Sequence, residues 1–187
     1  MASNTSGDMK DLLAHVEPMV PALRRYARAL LRDRDLADDL VQDCLERVIK
    51  RWEQRRQDGD TRQWVFAIAH NLAMDFLRQQ KRRGLHLAIE DVEEKEMVTP
   101  APQEAHLRHH ELLRFLERLP EEQRSVILLV SVEDLSYAEA AKVLGIPIGT
   151  VMSRLARGRE KLLRAMEGEP VQQKPVPDSP PVLRRLK

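Results

Sequence analysis

Apolar residues recur at intervals of three and four along most of this chain, and that spacing predicts helices. Between Leu36 and Trp52 the apolar residues fall on one side of a helical projection, and acidic residues gather on the other. Only 3 Phe, 2 Tyr and 7 Gly occur among 187 residues, so the residues that favour strands and tight turns are scarce. We therefore predict an all-α protein.

Prolines and turn residues divide the helical pattern in the first half of the chain. Pro18 and Pro21 should separate a short helix from a longer one that ends near Arg32, because proline disrupts a helix interior. The helix with the acidic face follows directly. A polar segment with turn residues at 58–60 then precedes a third helical pattern, which we expect to span residues 61–83.

The second half of the chain carries equally clear helix boundaries. Pro120 suits the first position of a helix. Ser136 and Glu139 have the spacing of a capping box, which should open another helix that ends at Gly145. Pro147 then suits the first turn of a last, basic helix.

A stretch without helical periodicity lies between the two groups of helices. From Leu87 to Glu104 it contains six acidic residues against one lysine, a composition typical of a linker. A polar N-terminus and a proline-rich C-terminus flank the helices. We therefore predict two small helical domains on a flexible acidic linker: a disordered N-terminus at 1–10, domains at 11–84 and 103–167, the linker at 85–102 and a tail at 168–187.

Charge is segregated along the chain although the net charge is only +1. Residues 61–83 hold five basic side chains against one acidic, and residues 150–165 repeat that ratio. Residues 33–46 hold six acidic side chains against one basic. The basic stretches therefore suit nucleic acid, and the acidic face suits a basic protein surface or is simply solvated.

Several classes of protein are disfavoured by what the sequence lacks. There is no run of about 18 apolar residues and no signal peptide pattern, so we expect a cytoplasmic protein without direct membrane insertion. Cys44, the single cysteine, lies on an apolar stripe and should be buried. His106, His109 and His110 have no obvious fourth ligand, so we predict no metal or cofactor. Nucleotide-binding and zinc-protease motifs are also absent, which argues against an enzyme.

The segment from Leu135 to Leu163 has the layout of a helix-turn-helix. A capped helix, a short turn with glycine and a basic helix follow one another. In such a unit the second helix enters the major groove, where Thr150, Ser153, Arg154 and Arg157 would share an exposed face. A solvated basic helix in an ordinary bundle stays open as the alternative.

Four successive segments of the chain resemble conserved segments of the extracytoplasmic-function group of sigma-70 family factors. They are DLADDLVQDCLERVIKRW, RQWVFAIAHNLAMDFLRQQKRR, LERLPEEQRSVILLV and LSYAEAAKVLGIPIGTVMSRLARGREKL. Four motifs in the family's order are far more specific than one helix-turn-helix. The resemblance covers roughly Leu12 to Met166 and implies that the two predicted domains are the sigma-2 and sigma-4 modules.

The resemblance also implies roles for individual residues. Asn71 matches the family's base-reading asparagine, and the loop at 58–62 matches the loop that accepts a flipped base. Trp64 either stacks near melted DNA or packs in the core. The implied contacts are Asp35, Asp38, Asp39, Gln42 and Asp43 for the polymerase core; Arg62, Trp64, Asn71, Asp75, Arg78, Lys81 and Arg82 for the minus-ten element; and Thr150, Ser153, Arg154, Arg157 and Arg159 for the minus-thirty-five element.

The partners implied by the resemblance are the β and β′ subunits of RNA polymerase core, promoter DNA and an anti-sigma factor that could hold the protein at the membrane. The free chain would be a monomer and a non-catalytic initiation factor, because the polymerase performs the phosphoryl chemistry. Two alternatives stay open. One is an ordinary helix-turn-helix regulator that binds duplex DNA as a dimer, and the other is an adaptor that binds a regulator without touching promoters.

Overall fold

The computed structural model describes residues 4–55, 59–83 and 114–166, and every regular element in these ranges is helical. The expected all-α fold is thus confirmed over the part of the chain that is described. The predicted linker and tail lie outside it. The α-helices are α1 (Asn4–Val16), α2 (Val20–Leu31), α3 (Arg34–Arg51), α4 (Thr61–Arg82), α5 (Glu121–Ile127), α6 (Tyr137–Leu144) and α7 (Ile148–Met166).

Short segments of other helix types connect these elements. A 3-10 turn at Glu17–Met19 joins α1 to α2, as the prolines predict, and another at Trp52–Gln54 follows α3. A π-helical segment, Leu128–Val132, continues α5. Residues 114–117 are also helical. α1 to α4 form the first helical group, and residues 114–166 form the second.

The N-terminal prediction requires a correction. α1 begins at Asn4, whereas the sequence analysis placed disorder through residue 10. No proline interrupts the chain before Pro18, so a helix anchored by the buried side chains of Leu12 and Val16 extends outward by two further turns. An ion pair of 2.7 Å between Asp11 and Arg55 fastens it to the end of α3.

Side-chain caps set the helix starts where the sequence indicates them. Asp33 accepts a hydrogen bond of 2.9 Å from the backbone of Leu36 and opens α3. Asp60 accepts 2.8 Å from the backbone of Arg62 and opens α4. The two prolines lie one position earlier than predicted: Pro120 is the N-cap of α5, and the carbonyl of Pro147 accepts the first backbone bond of α7.

Both helical groups bury apolar residues, and the buried residues form one continuous cluster. In the first group the interior is formed by Leu23 and Tyr26 of α2, Val41 and Cys44 of α3, and Phe66 of α4, each at most 2% exposed. The second group is centred on Val126, Leu129, Ala140, Val151 and Leu155. Gly158 of α7 approaches α5 so closely that a Cβ there would lie 2.6 Å from the Cδ1 atom of Ile127.

The two groups are packed against each other. α4 lies along α6, and α2 contacts α5 and the π-helical segment. The sequence analysis predicted the two domains but not their contact, because the residues that meet are far apart in the chain. This packing decides which predicted site residues remain accessible.

Candidate nucleic-acid and protein interfaces

The acidic side of α3 is exposed to solvent except at Asp38. Asp35, Asp39, Gln42 and Asp43 are exposed, as predicted. Asp38 is half-buried instead, and its carboxylate accepts bonds of 3.1 and 3.2 Å from Arg28 of α2. Four of the five predicted polymerase contacts therefore face solvent, whereas Asp38 ties α3 to α2.

One side of α4 brings together most of the residues predicted for the minus-ten element. At about 100° per residue, the positions seven, eleven, fourteen and eighteen residues after Trp64 all lie within about 40° of the direction of Trp64 around the helix axis. The members beyond Trp64 are exposed, and Arg78 donates to Asp75 at 2.6 Å. We call this the outer stripe: Trp64, Asn71, Asp75, Arg78 and Arg82.

Trp64 lies at the N-terminal end of the outer stripe and is half-buried. Its ring packs at a tilt of 54° on the buried ring of Trp52, with the centroids 6.3 Å apart. The guanidinium of Arg55 also lies over the Trp52 ring, 3.6 Å from its centroid. The ring thus packs against the core, in line with one of the two alternatives for Trp64, and its stacking on melted DNA stays a prediction.

The remaining two predicted minus-ten residues lie on a different side of α4 and are engaged by the second helical group. Lys81 forms an ion pair of 3.0 Å with Glu121 at the start of α5. Arg62 donates at 2.6 Å to the backbone carbonyl of Glu133, and its guanidinium lies 3.5 Å from that residue's carboxylate. Five of the seven predicted residues therefore lie on the outer stripe. Arg62 and Lys81 lie where the second helical group contacts α4, which we call the occupied side.

His70 is a buried residue on the occupied side that the sequence analysis did not identify. It is 8% exposed, and its Nδ1 atom lies 2.9 Å from the hydroxyl oxygen of Tyr26. Burial, reinforced by the positive charge of Arg154, lowers the pKa of His70 to about 4. The imidazole is therefore neutral at pH 7, and a helical histidine beside the exposed Asn71 offers no sequence signal that would reveal it.

The helix-turn-helix has the predicted local geometry. Ser136 and Glu139 form both bonds of the capping box, at 3.3 Å and 2.6 Å, and Gly145 takes a left-handed conformation with φ of 64°. Ser153 and Arg157 are exposed. Thr150, which lies one turn before Ser153 and two turns before Arg157, is half-buried. The side chain of Arg157 donates to the backbone carbonyl of Ser153 at 3.1 Å.

Two predicted minus-thirty-five residues do not share that exposed face. The side chain of Arg154 is only 26% exposed and lies 3.9 Å from Glu122 of α5. It lines a cavity of about 180 Å³ between α4 and the second group, together with His70 and Met74. Arg159 is exposed but lies nine residues from Thr150, on the opposite side of α7, and donates at 3.2 Å to Ser131.

Residues 4–55, 59–83 and 114–166 contain neither a membrane-spanning helix nor a metal-binding cluster. No helix there is long and apolar enough to cross a membrane. No group of three potential metal-ligating side chains occurs among the same residues. The three histidines discussed in the sequence analysis, His106, His109 and His110, lie outside them.

Comparison with known proteins finds the two modules in order. Residues 16–70 match the family model of the sigma2 domain of PhyR, and residues 109–162 match sigma-70 region 4. A sigma-2 module followed by sigma-70 region 4 is the domain order of a sigma-type protein. The chain is 34% identical over 146 residues to the ECF RNA polymerase sigma factor EcfG of Rhodopseudomonas palustris, covering 76% of this chain and 78% of the relative. It is 33% identical to the sigma factor CarQ of Myxococcus xanthus, covering 86% and 89%.

Solved structures agree with these relatives. The sigma factor RpoE of Bartonella quintana, in complex with the anti-sigma factor NepR, matches with a TM-score of 0.68 and 31% identity over 84% of this chain and 98% of that one. CnrH in complex with the cytosolic domain of CnrY matches with a TM-score of 0.66 and 25% identity over 87% and 92%. The chain belongs to the extracytoplasmic-function (ECF) group of RNA polymerase sigma factors.

Proposed function

We propose that this sigma factor directs RNA polymerase core to promoters through three surfaces: the acidic side of α3, the outer stripe of α4 and the exposed face of α7. The observation that carries the proposal is the outer stripe. It places an aromatic ring, an amide and two guanidinium groups in a row on one exposed side of a helix. The role is non-catalytic, since the polymerase performs the phosphoryl transfer.

The acidic side of α3 would bind the polymerase core. Asp35, Asp39 and Asp43 carry three negative charges on one exposed side, with Gln42 between them. Charges arranged in this way steer a basic partner and fix the register of docking more than they add raw affinity. The partner proposed is a basic surface of the β′ subunit. Asp38 would act indirectly, by fixing α3 to Arg28 of α2.

The outer stripe would hold the minus-ten element as a single strand. The half-buried ring of Trp64 would offer a face for stacking, which suits unpaired bases of any identity. Asn71 has both a donor and an acceptor and can therefore distinguish one base edge from another. Arg78 and Arg82 continue the row and would hold phosphates. Capture of unstacked bases in this way favours strand separation.

The exposed face of α7 would read the minus-thirty-five element as a duplex. Ser153 and Arg157 are positioned for the major groove, with Thr150 at the N-terminal end where a recognition helix contacts bases. An arginine that contacts guanine with two hydrogen bonds is the most informative readout available to such a helix. Arg159 lies on the other side of α7 and would contact the backbone at most.

Regulation by an anti-sigma factor completes the proposal. RpoE and CnrH, the structural neighbours, are each in complex with a partner of this kind or its cytosolic domain. Such a partner would cover the surfaces of this chain in the cytoplasm until a signal releases them. The modules proposed for this exchange are residues 11–84 and 103–167, joined by the acidic linker at 85–102.

In vitro transcription with variants of the three surfaces tests the proposal. Asn71→Ala should abolish promoter melting, measured with permanganate, while the affinity for core polymerase stays unchanged. Asp39→Arg should lower the affinity for core at least about tenfold, because it places a positive charge opposite a basic partner. Gln79→Ala and Glu53→Arg alter an exposed amide on α4 and an exposed carboxylate after α3 and serve as matched controls.

The outcomes separate the proposal from its alternatives. Loss of melting in the Asn71 variant and of core binding in the Asp39 variant, with both controls active, supports a sigma factor with these surfaces. Binding of duplex DNA without any association with core would contradict it and favour an ordinary helix-turn-helix regulator. Core association without any promoter contact would favour an adaptor.

A further inference from the structure

Asp75 is the one acidic residue of the outer stripe. It lies about one helical turn from Asn71 on one side and from Arg78 on the other, and its side chain is 65% exposed. The surface around it is proposed to bind single-stranded DNA, whose phosphates repel a carboxylate. Attraction to the DNA backbone therefore does not explain an acidic side chain at this place.

The stability of α4 does not explain it either. The Oδ1 atom of Asp75 accepts a hydrogen bond of 2.6 Å from Nη2 of Arg78, and both side chains are mostly exposed. An ion pair that is exposed to this extent contributes little to folding, because water and salt screen it. The carboxylate is therefore available for a role in recognition.

The ion pair holds both side chains in defined positions. Arg78 also donates through Nε to the backbone carbonyl of Met74 at 3.3 Å, so its guanidinium lies back along α4 toward Asp75. The second carboxylate oxygen of Asp75, Oδ2, accepts no hydrogen bond from residues 4–55, 59–83 or 114–166. One oxygen is thus fixed by Arg78, and the other can accept a hydrogen bond from a ligand.

An ionised carboxylate accepts hydrogen bonds and donates none, which limits the bases that it can bind. Cytosine, adenine and guanine each carry an exocyclic amino group that can donate to it, whereas thymine presents the acceptor O4 instead. Aspartate and glutamate recognise the amino group of cytosine in this way.

We infer that Asp75 is a specificity-determining residue, which accepts a hydrogen bond from the exocyclic amino group of one unpaired base in the minus-ten element and disfavours thymine there. The inference rests on the proposed function of the outer stripe, because it assumes that this surface holds a single strand. It adds the chemical class of base that the surface selects.

The spacing along α4 places this contact beside the base proposed for Asn71. Asn71 and Asp75 are four residues apart, which corresponds to about 6 Å along the helix axis. Successive bases of one strand in a duplex are about 3.4 Å apart, and the distance grows when the strand is unstacked. The two side chains can therefore contact neighbouring bases of a melted strand.

Repulsion adds to the discrimination that attraction provides. Specificity is a difference between two affinities, and an unfavourable contact with the wrong ligand widens that difference. Thymine at this position would bring its O4 atom against Oδ2 of Asp75, with no proton between the two acceptors. The acidic residue thus lowers the affinity for the wrong base as well as raising it for the right one.

Binding of short single-stranded DNA to the complex of the full-length chain with core polymerase tests the inference. The strands carry the minus-ten element of a promoter selected with the wild-type protein. At each position in turn, cytosine, adenine or guanine is compared with the analogue that lacks only the amino group, namely pyrimidinone, purine or hypoxanthine. Asp75→Asn keeps the size of the side chain and adds two donors. Glu160→Gln changes a similarly exposed carboxylate, which pairs with Arg164 on α7, and is the matched control.

At one position the wild-type complex should bind the amino-bearing base at least about tenfold more tightly than its amino-free analogue. In Asp75→Asn this ratio should fall below about threefold, because the amide both donates and accepts. Strands with thymine at that position should bind Asp75→Asn more tightly than wild type, because the repulsive carboxylate is gone. Glu160→Gln should keep the wild-type ratio, and circular dichroism checks that the helices of both variants are intact.

Several results would overturn the inference. Equal affinity for each base and its analogue at every position would do so, and so would a wild-type ratio that persists in Asp75→Asn. If Asp75→Asn weakens all strands by the same factor, Asp75 only positions Arg78. A wild-type complex that binds no single strand would contradict the proposed function itself, so the two failures are distinguishable.

Discussion

The buried guanidinium of Arg124 should be essential for the stability of the second helical group. Arg124 is 2% exposed and has no carboxylate partner among the described residues. Instead it donates to four backbone carbonyls: Leu116 at 3.0 Å, Glu117 at 3.1 Å and Leu119 at 2.8 Å within its own group, and Leu30 at 3.0 Å in α2. Leu116 and Glu117 lie at the end of the helical turn at 114–117, and Leu119 follows it. The carbonyl of Leu116 also accepts a bond of 3.1 Å from the backbone of Leu119, and that of Glu117 accepts one from Arg32.

The expected cost of Arg124→Met follows from those bonds. Methionine keeps much of the apolar stem but removes the donor of all four bonds. An intramolecular hydrogen bond contributes about 1 kcal/mol net, so removal of the three local bonds gives a loss of about 3 kcal/mol. A helical group of this size has a free energy of unfolding of about 5 kcal/mol. More than half of its stability should therefore disappear.

Urea unfolding followed by circular dichroism measures this loss. With a slope of about 1–3 kcal/mol per molar, a loss of 3 kcal/mol lowers the urea midpoint by at least about 1 M. Arg124→Lys keeps the charge but cannot form the planar fork, so it should fall between wild type and Arg124→Met. Arg164→Met removes an exposed guanidinium from α7 and is the control. An Arg124→Met variant as stable as wild type would refute the role given to these bonds.

Three further predictions address the buried histidine, the helix cap and the cysteine. Because the pKa of His70 is lowered to about 4 in the folded state, stability should be complete above pH 6.5 and fall by up to about 3 kcal/mol between pH 6.5 and 4. His70→Gln should flatten this slope in urea titrations and His15→Gln should not; equal slopes would contradict the burial of His70. Ser136→Ala should cost about 1 kcal/mol in the same assay by removing the cap of α6, and Ser136→Thr should restore most of it. Burial raises the pKa of Cys44 to about 12, so a thiol reagent at pH 8 should label it only after unfolding, and rapid labelling of the native protein would contradict its position.

Local structure could be predicted from the sequence wherever a residue type is favoured at one kind of position, such as a helix cap, a left-handed turn or an apolar stripe. The capping box at Ser136 and the left-handed turn at Gly145 are confirmed, because each follows from contacts within a few residues. The burial of Cys44 is confirmed because it follows from the place of this residue on the apolar stripe of α3. The start of α1 was wrong by several residues, since a polar segment without a helix breaker resembles a disordered one. The π-helical segment that continues α5 was not predicted either, because a π-helical turn has no distinct pattern of apolar residues.

The contact between the groups could not be predicted from the sequence. Glu133 is buried and pairs with Arg25 at 2.9 Å, but the two residues are 108 positions apart and nothing near either of them indicates burial. Glu133 stands in a polar segment that resembles a solvated loop, and Arg124 follows two glutamates as an exposed arginine would. Arg154 was expected on the open face of α7 but lies toward Glu122 of α5, because α7 packs on α5.

Addition of the purified chain to core polymerase of its own bacterium, with genomic DNA as template, tests the central claim most directly. The 5′ ends of all transcripts are sequenced with and without the chain. A sigma factor should create discrete new start sites preceded by two shared sequence elements, and Asn71→Ala should remove those sites. Transcript ends that match those of core polymerase alone would contradict the account, however well the chain binds DNA.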